Sequence, residues 1–506
     1  MRLHDLLLDG AMRHPESIAL HSIDSGAQRT YGAAALEMER IAAALATLGV
    51  KPGDRVGLFS PNRIEYPLAM FGIWRAGAIS THLSVQFGEQ LDYYLGDATP
   101  EVLVYSGAHQ QSIEHHHGAV KRVRHLICLD GERPAALDWQ ALIRNAGGAP
   151  ADRVQDDDGA HLSWTSGSTG KPKGALIGHG ITARACRSIA ERLRITSKDV
   201  TYGPTSLSSS YHLVANLLPG LFAQATVGLV GTWNAARAWE DMERTGVTIA
   251  PANSTLLGEL LNECRTRGRA PRALRLVLTG GVPTPPALKR AWRDEFSITL
   301  AESYGLSELG GFVGLGYPEA STDAKLAASG PSLPDREVRV FDPKLGVECG
   351  PGQVGEIAVS GGCMIGYWGR PEQSAQVMRG RWLFTGDLGF LDRDGYVHVR
   401  GRASETLIVD GESWYPRDAE DAALEHPSVL HAALVGVSDG AAGHRPVLFI
   451  ALRPGMSASA TELASHVATR LGCVPSRLEV RILAALPLTP TSKVDKVNLR
   501  VRASSG

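Results

Sequence analysis

Short apolar runs alternate with segments of helical periodicity through the first half of the chain, and this alternation restricts the fold more than any other feature. Apolar residues recur at helical spacing in residues 31–48 and 65–76. Short apolar runs bounded by turn residues lie at 55–60, 102–105, 126–129 and 276–279. Strands that alternate with helices form crossover units, which build mostly parallel sheets covered by helices. The first half is therefore predicted to be an α/β domain.

The pattern changes twice further along. Short alternating strands at 338–341, 355–360 and 396–400 are separated by Gly, Pro and Asp turns, which predicts a small antiparallel, barrel-like unit. After Gly401-Arg402 the pattern is that of a compact α+β module. Strands are predicted at 406–409, 429–437, 447–452 and 479–483, and helices at 416–424 and 461–471.

A chain of 506 residues is too long for one ordinary core, so at least two domains are expected. We predict an N-terminal domain over residues 1–402, with the antiparallel subdomain at about 337–402. A small C-terminal domain over residues 403–506 follows.

Composition excludes several classes of protein. Lys and Arg number 51 against 53 Asp and Glu, and no basic stripe or charge block predicts binding to nucleic acid or a membrane surface. The longest apolar stretch, 213–230, contains Asn216 and Pro219, which favours a buried helix and a strand over a membrane span. The N-terminal apolar run is too short for a signal peptide. Six scattered cysteines fit neither zinc spacing nor a disulfide framework, and a cytoplasmic protein is expected.

A polar loop, Thr165-Ser-Gly-Ser-Thr-Gly-Lys-Pro-Lys-Gly174, follows a strand-like segment. Glycines admit an anion to backbone N–H groups, hydroxyls add donors and lysines add charge, so the loop is predicted to hold a polyphosphate. It is not a Walker A loop, because Thr165 occupies the first Gly position and Pro172 follows Lys171 where a helix should begin. A surface linker of similar composition is the alternative. The predicted phosphate ligands in this loop are Thr165, Ser166, Gly167, Ser168, Thr169, Gly170, Lys171 and Lys173.

Further motifs flank this loop. Upstream lie Gly53-Asp-Arg-Val56 and Arg75-Ala-Gly-Ala78; downstream, in order, lie Gly280-Gly-Val-Pro283, Ser303-Tyr-Gly-Leu-Ser-Glu308, Thr385-Gly-Asp387, Gly401-Arg402 and Leu488-Thr-Pro-Thr-Ser-Lys493. Over nearly its whole length the chain resembles the adenylate-forming superfamily of acyl- and aryl-CoA synthetases, nonribosomal adenylation domains and luciferases.

The resemblance implies an ATP site. Glu308 would help bind Mg²⁺, Asp387 would hold the ribose hydroxyls, Arg402 would reach the nucleotide and Lys493 would be the catalytic lysine. Against the adenine and beside the phosphates would lie Gly280, Gly281, Val282, Ser303, Tyr304, Gly305 and Ser307, with the ring of Tyr304 stacked on the base. Each role suits the residue chemically. Taken singly, however, Tyr304 could be a core residue, Glu308 a solvated carboxylate and Asp387 a turn residue.

The resemblance also implies a reaction in two steps. A carboxylate attacks the α-phosphorus of ATP to give an acyl-adenylate and pyrophosphate, with Lys493 between the two anions; Lys496 is the competing lysine. The C-terminal domain is then expected to rotate about Ser404, where relatives often carry Asp or Lys. Gly411 would line the tunnel for the thiol of coenzyme A or of a carrier-protein phosphopantetheine. Two alternatives remain. The adenylate could pass to another acceptor in a biosynthetic pathway, or the protein could be a non-catalytic nucleotide-binding regulator.

The acid substrate is less constrained. The segment 204–213 resembles one wall of the acyl pocket, and either Ser209 or His212 occupies the position where many relatives carry His. The Asp that binds an α-amino group in amino-acid activators is missing, which disfavours amino acids. Tyr211, His212, Leu306, Gly310 and Phe312 suggest an aryl or medium-sized functionalised carboxylic acid. The serines could instead cap a helix, and His212 could be a packed core residue.

Overall fold

The computed structural model describes residues 1–165, 171–281, 284–319, 322–440, 443–475, 477–488 and 494–505. Over this part of the chain, helices and strands alternate as the sequence predicts up to residue 315. The strands in this region are β1 (Ile18–Ser22), β2 (Gln28–Thr30), β3 (Arg55–Phe59), β4 (Ile79–Leu83), β5 (Val102–Tyr105), β6 (His125–Cys128), β7 (Leu137–Asp138), β8 (Gly159–Trp164), β9 (Gly174–Gly178), β10 (Val200–Gly203), β11 (Thr226–Leu229), β12 (Ile249–Pro251), β13 (Leu276–Gly280), β14 (Thr299–Leu306) and β15 (Gly311–Leu315).

The helices that connect and cover these strands are mostly short. They are α1 (Asp5–Arg13), α2 (Tyr31–Thr47), α3 (Glu65–Arg75), α4 (Leu91–Ala98), α5 (Gln110–His115), α6 (His117–Val120), α7 (Trp139–Arg144), α8 (His179–Arg192), α9 (Ser210–His212), α10 (Leu218–Phe222), α11 (Ala235–Thr245), α12 (Ser254–Arg267), α13 (Pro286–Phe296) and α14 (Asp323–Leu326). A π-helical turn, Leu213–Leu217, joins α9 to α10. The stretch 213–230 is thus a buried helix followed by β11, as predicted.

Capping residues set the helix ends. In α11 the side chain of Asn234 accepts a hydrogen bond from Arg237 N at 3.0 Å, which satisfies one N–H that has no partner inside the helix. The helix ends at Gly246, whose φ of +68° closes the last turn.

Two eight-stranded sheets form the large domain. Their strand orders are β15-β14-β13-β12-β10-β11-β1-β2 and, with a strand from further along the chain, β18-β9-β8-β4-β3-β5-β6-β7. The central strands are parallel, but β15 pairs antiparallel with β14 and β9 pairs antiparallel with β8. The β14–β15 hairpin lies at the edge of its sheet and the β8–β9 hairpin lies one strand in from the edge, and these two hairpins position the site described below.

The second half contains the smaller units. The elements up to residue 402 are β16 (Glu337–Phe341), β17 (Gly355–Ser360), β18 (Gly366–Tyr367), α15 (Pro371–Val377), β19 (Met378–Arg379), β20 (Trp382–Leu391) and β21 (Val397–Arg402). Strands β16, β17, β20, β19 and β21 make the predicted antiparallel unit. The C-terminal elements are β22 (Leu407–Val409), β23 (Glu412–Trp414), α16 (Pro416–Leu424), β24 (Val429–Ser438), β25 (His444–Leu452), α17 (Ala460–Leu471), β26 (Glu479–Leu483) and α18 (Lys496–Ser504).

This architecture confirms the predicted fold class, a helix-covered, mostly parallel α/β domain with an antiparallel barrel-like unit and a small α+β domain. Among the described helices, none has both the length and the apolar character needed to cross a bilayer.

Candidate active site

The arms of the polar loop are fixed by the hairpin of β8 and β9. Thr165 N donates to Lys173 O at 2.9 Å, and Lys173 N donates to Thr165 Oγ1 at 3.2 Å, so the ladder continues one pair beyond the strands. The ammonium of Lys171 lies 5.2 Å from the ring of Tyr93, and that of Lys173 lies 4.5 Å from the ring of Tyr367. Ser166, Gly167, Ser168, Thr169 and Gly170 lie outside the described residues.

Glu308 is brought to these arms by the hairpin of β14 and β15. It lies in the 3₁₀ turn Ser307–Leu309, and Ser307 Oγ donates to Trp164 O at 3.4 Å. Met364 N donates to Glu308 O at 2.7 Å, and Tyr367 Oη donates to Glu308 Oε1 at 2.7 Å. The partly exposed carboxylate thus faces the same aromatic ring that contacts Lys173.

Buried Asp387 and Tyr304 form one group with the partly exposed Arg402. Tyr304 Oη donates to Asp387 Oδ2 at 2.7 Å, and Arg402 Nε bonds Asp387 Oδ1 at 2.9 Å. Burial raises the pKa of Asp387, although Arg402 and the Tyr304 hydroxyl oppose this shift. Strands β20 and β21 align Asp387 and Arg402 directly across the ladder. Both carboxylate oxygens are engaged by protein, so the ribose contact stays a prediction, as does stacking of the adenine on Tyr304.

The segment predicted to lie against the adenine is closely packed. Ser303 Oγ donates to Thr279 O at 2.9 Å. A Cβ atom at Gly280 would overlap Ser303 Oγ and lie 2.9 Å from Tyr211 Cε2, so only glycine allows this approach. Gly281 follows with φ of +76°, and Val282 lies outside the described residues.

The ring of Tyr211 lies next to Gly280. Its hydroxyl donates to Leu278 O at 2.9 Å, and its ring centroid lies 5.9 Å from that of Phe312. Gly305 lies where the paired strands β14 and β15 come close together, since a Cβ there would approach Gly311 O to 2.7 Å. Leu306, at the end of β14, is partly buried in the adjoining apolar cluster.

Ser209 and His212 have structural contacts of their own. The side chain of Ser209 accepts a hydrogen bond from Tyr211 N at 3.2 Å and caps α9. His212 is fully buried, with Nδ1 2.6 Å from Thr205 O and Nε2 3.1 Å from Asn216 Nδ2. Burial lowers the pKa of His212 to about 4. Ser209 thus caps a helix and His212 is a packed histidine, which are the alternatives that the sequence left open. The pocket role of both residues stays a prediction.

The predicted hinge and tunnel residues lie on the C-terminal side. Ser404 is exposed in the 3₁₀ turn Ala403–Glu405, and Gly411, with φ of +86°, is at the tip of the hairpin of β22 and β23. Lys493 lies outside the described residues. Its competitor Lys496 bonds Glu405 and Glu420 at 3.0 and 2.9 Å, so its ammonium has two structural partners.

Comparison with known proteins agrees with this arrangement. A model of the AMP-binding enzyme family matches residues 8–368, and a model of the AMP-binding enzyme C-terminal domain matches residues 418–493. This chain belongs to the AMP-binding enzyme family. The adenylate-forming resemblance inferred from the motifs is confirmed, and the chain is an AMP-forming acid–thiol ligase.

Three relatives cover almost the whole chain. Feruloyl-CoA synthase of Amycolatopsis sp is 31% identical over 480 residues, 94% of either protein. Sulfoacetate–CoA ligase of Cupriavidus necator is 28% identical over 517 residues, which cover 97% of this chain and 95% of the relative. The solved o-succinylbenzoate CoA synthetase (MenE) from Bacillus subtilis, in complex with its acyl-adenylate, is 28% identical with a TM-score of 0.84 and covers 98% and 97% of the two chains.

The carboxylate of Glu308 is a suitable ligand for the Mg²⁺ that accompanies ATP in AMP-binding enzymes. Mg²⁺ is usually held by one or two carboxylates together with phosphate oxygens and water. Glu308 is partly exposed, Tyr367 engages one of its oxygens, and Lys173 lies on the same ring. The residues present therefore fit a metal-bound polyphosphate.

Sequence reasoning missed the aromatic support of this candidate site. Tyr93 Oη donates to Pro172 O, and Tyr367 contacts both Lys173 and Glu308. The segment Gly366-Tyr-Trp-Gly-Arg-Pro371 combines aromatic residues with turn residues just before a helix, and this signal could have marked it as a site segment.

Proposed function

We propose that the protein activates an aryl or medium-sized functionalised carboxylic acid as its acyl-adenylate and transfers the acyl group to coenzyme A. The observation that supports the proposal is that Lys173 and Glu308 contact the same tyrosine, while the charge of Glu308 also acts on the Asp387–Arg402 pair. A family match alone would leave these residues as separate motifs along the chain.

The first step brings a carboxylate to a polyanion, so its barrier is largely electrostatic. Lys171 and Lys173 supply positive charge at the arms of the phosphate loop, and Lys493 is proposed to bridge the carboxylate and the α-phosphate. The bond from the carboxylate oxygen to the α-phosphorus forms as the bond to the departing pyrophosphate breaks. Mg²⁺, when bound through Glu308, would neutralise part of the phosphate charge.

Aromatic residues form part of the proposed acyl pocket. Tyr211 stands beside Phe312, and its hydroxyl is tied to the backbone of β13, so the ring forms a fixed wall next to Gly280. A flat aromatic acid suits such walls because ring edges and faces pack well against each other. The similarity to feruloyl-CoA synthase and o-succinylbenzoate CoA synthetase supports an aryl substrate.

The similarity to sulfoacetate–CoA ligase raises the alternative of a small dianionic acid. A buried second anion would need a cation beside it. Arg336 lies behind Phe312, but its guanidinium donates to the carbonyls of Phe312, Leu309 and Gly361. The aryl acid is therefore the better-supported substrate.

Coenzyme A is proposed as the acceptor because all three relatives are named as CoA ligases or synthetases. The thiol would displace AMP from the adenylate after the C-terminal domain, over residues 403–506, rotates at Ser404 and presents Gly411. All six cysteines are free thiols, which supports a cytoplasmic location.

The experiment is product analysis with ATP, Mg²⁺ and a panel of acids. Ferulate, 4-coumarate, benzoate, sulfoacetate and a long-chain fatty acid are each supplied with coenzyme A or with a phosphopantetheinylated carrier protein, and acyl products and AMP are measured by mass spectrometry. We expect aryl-CoA and equimolar AMP. Acyl-carrier protein without acyl-CoA would overturn the acceptor, and turnover of sulfoacetate alone would overturn the substrate class.

A further inference from the structure

Tyr367 links two groups of the site that come from distant parts of the chain. Its hydroxyl donates to Glu308 Oε1 at 2.7 Å, and the face of its ring lies 4.5 Å from Lys173 Nζ. The tyrosine is 6% exposed, so its side of both contacts is shielded from water, while Lys173 and Glu308 are partly exposed. One side chain therefore contacts the predicted metal ligand and a predicted phosphate ligand together.

The backbone of Tyr367 is held from both sides. It pairs with Ala175 of β9, directly after the loop arm that carries Lys173, and Trp368 N donates to Gly174 O at 2.8 Å. Tyr367 N donates to Ser374 Oγ at 2.8 Å. The ring consequently has a fixed position relative to the loop.

The two contacts use different properties of tyrosine. The ring face attracts an ammonium through its quadrupole, which phenylalanine would also do. The hydroxyl donates to a carboxylate, which phenylalanine cannot do.

We infer that Tyr367 is a positioning residue that sets the orientation of the Glu308 carboxylate for Mg²⁺ and the direction of Lys173 for the phosphates. With Oε1 committed to the tyrosine, the other oxygen of the carboxylate would remain available to hold the ion. This inference rests on the proposed adenylation chemistry but not on the identity of the acid or the acceptor.

The test measures binding of α,β-methylene-ATP, which resists cleavage at the relevant bond, to the full chain by calorimetry over a range of Mg²⁺ concentrations. Tyr367→Phe should raise the half-saturating Mg²⁺ concentration about tenfold, the effect of losing one hydrogen bond to a charged group. Its affinity for the Mg²⁺-free nucleotide should stay within about twofold of wild type because the ring remains. Tyr367→Leu should also weaken Mg²⁺-free binding, by about threefold, because Lys173 loses its aromatic partner.

A double-mutant cycle separates positioning from general packing. In a Glu308→Gln background, Tyr367→Phe should change the half-saturating Mg²⁺ concentration by less than about twofold, because its effect acts through the carboxylate. An equal shift in both backgrounds, or no shift in Tyr367→Phe alone, would overturn the inference. If the Tyr367 variants fail to fold, Ser374→Ala, which loosens the tyrosine backbone, should move the Mg²⁺ requirement in the same direction; an unchanged requirement would count against it.

The proposed function and the role of Tyr367 can be contradicted separately. A wild-type protein that binds the nucleotide with Mg²⁺ but forms no aryl-CoA would contradict the proposed substrate or acceptor, and the role of Tyr367 would still be decided by the cycle.

Discussion

At the scale of single residues, two nearby lysines are expected to have different roles, one in catalysis and one in stability. Lys493 is the predicted cation between carboxylate and α-phosphate, whereas Lys496 bonds two carboxylates within its own domain. We expect Lys493→Ala to lower adenylate formation about 100-fold or more, as loss of a preorganised charge contact does, and to leave the free energy of unfolding unchanged. Acid-dependent ATP–pyrophosphate exchange and urea unfolding measure the two effects.

Lys496→Ala is the matched control. Although burial lowers the pKa of Lys496, Glu420 and Glu405 raise it, so the ammonium stabilises the folded state. Its loss leaves those carboxylates without their cation and should cost about 1–3 kcal/mol of unfolding free energy, with a smaller effect on exchange. Near-normal exchange in Lys493→Ala together with loss of exchange in Lys496→Ala would transfer the catalytic role to Lys496.

At the scale of elements, the turn between β14 and β15 determines where Glu308 lies. Gly310 ends this turn with φ of +57°, and a Cβ there would lie 2.6 Å from Ile177 Cγ2 on β9. Gly310→Ala should therefore displace the turn and lower the affinity for Mg²⁺-bound nucleotide about tenfold or more, because small shifts of a site residue are costly. Calorimetry with α,β-methylene-ATP measures the change.

Gly246 supplies the control for backbone strain. It ends α11 with φ of +68°, and among the described residues beyond its neighbours in the chain no atom lies within 4 Å of a Cβ placed there. Gly246→Ala should lower the free energy of unfolding by about 1–2 kcal/mol, because alanine disfavours the left-handed conformation as it also does at Gly310. It should leave nucleotide affinity unchanged. Equal loss of nucleotide affinity in both variants would show that the turn does not position Glu308.

Periodicity predicted the individual elements well but not how the sheet edges pair. Strand β5 and helix α16 occupy the predicted residues 102–105 and 416–424, because apolar spacing and turn residues are local signals. The antiparallel pairings of β8 with β9 and of β14 with β15 were not predicted, since a short apolar run does not reveal the direction of its neighbour. Strand β18 has only two residues, which is too short for any period.

The sequence motifs predicted the candidate site residues better than they predicted the contacts that support those residues. Glu308, Asp387 and Arg402 were predicted from ordered motifs, and the structure brings Asp387 and Arg402 together. Tyr367 was not predicted, because its role depends on pairing with Ala175, almost 200 residues earlier in the chain. A contact set by such distant pairing leaves no local pattern.

At the scale of the whole molecule, buried histidines link stability to pH. Burial lowers the pKa of His161 and of His179 to about 3, and that of His212 to about 4. Because these values lie below the unfolded value of about 6.5, the unfolded chain binds more protons as the pH falls. Stability should be fully present above pH 6.5 and should then decrease by about 1.4 kcal/mol per pH unit for each histidine.

Urea unfolding at pH 7.5, 6.5 and 5.5 measures this dependence. His161→Gln should reduce the slope between pH 6.5 and 5.5, whereas a substitution of exposed His14 should not. A free energy of unfolding that is constant between pH 7.5 and 5.5 would contradict the prediction.

The small C-terminal domain docks on the large one through a buried cation. Arg417, in the first turn of α16, donates to Val399 O at 2.9 Å and lies 3.7 Å from Glu302 on β14, the strand that also carries Tyr304. Arg417 also bonds Asp421 within α16 at 3.2 Å, whereas Glu302 keeps Lys289 as a second cation. We expect Arg417→Met to lower the free energy of unfolding by about 1–3 kcal/mol, the cost of losing buried hydrogen bonds made by a charged group.

A second ion pair across the same interface is the control. Arg290 lies 3.6 Å from Glu425 and both side chains are partly exposed, so Arg290→Met should cost less than about 1 kcal/mol. Thermal and urea unfolding of both variants, together with separate assays of adenylate and thioester formation, make the comparison. Because the contacts of Arg417 with Val399 and Glu302 join residues on opposite sides of Ser404, a rotating domain must break them, and Arg417→Met should change the ratio of the two half-reaction rates. Equal stability of the two variants with an unchanged ratio would show that this contact does not hold the domain in place.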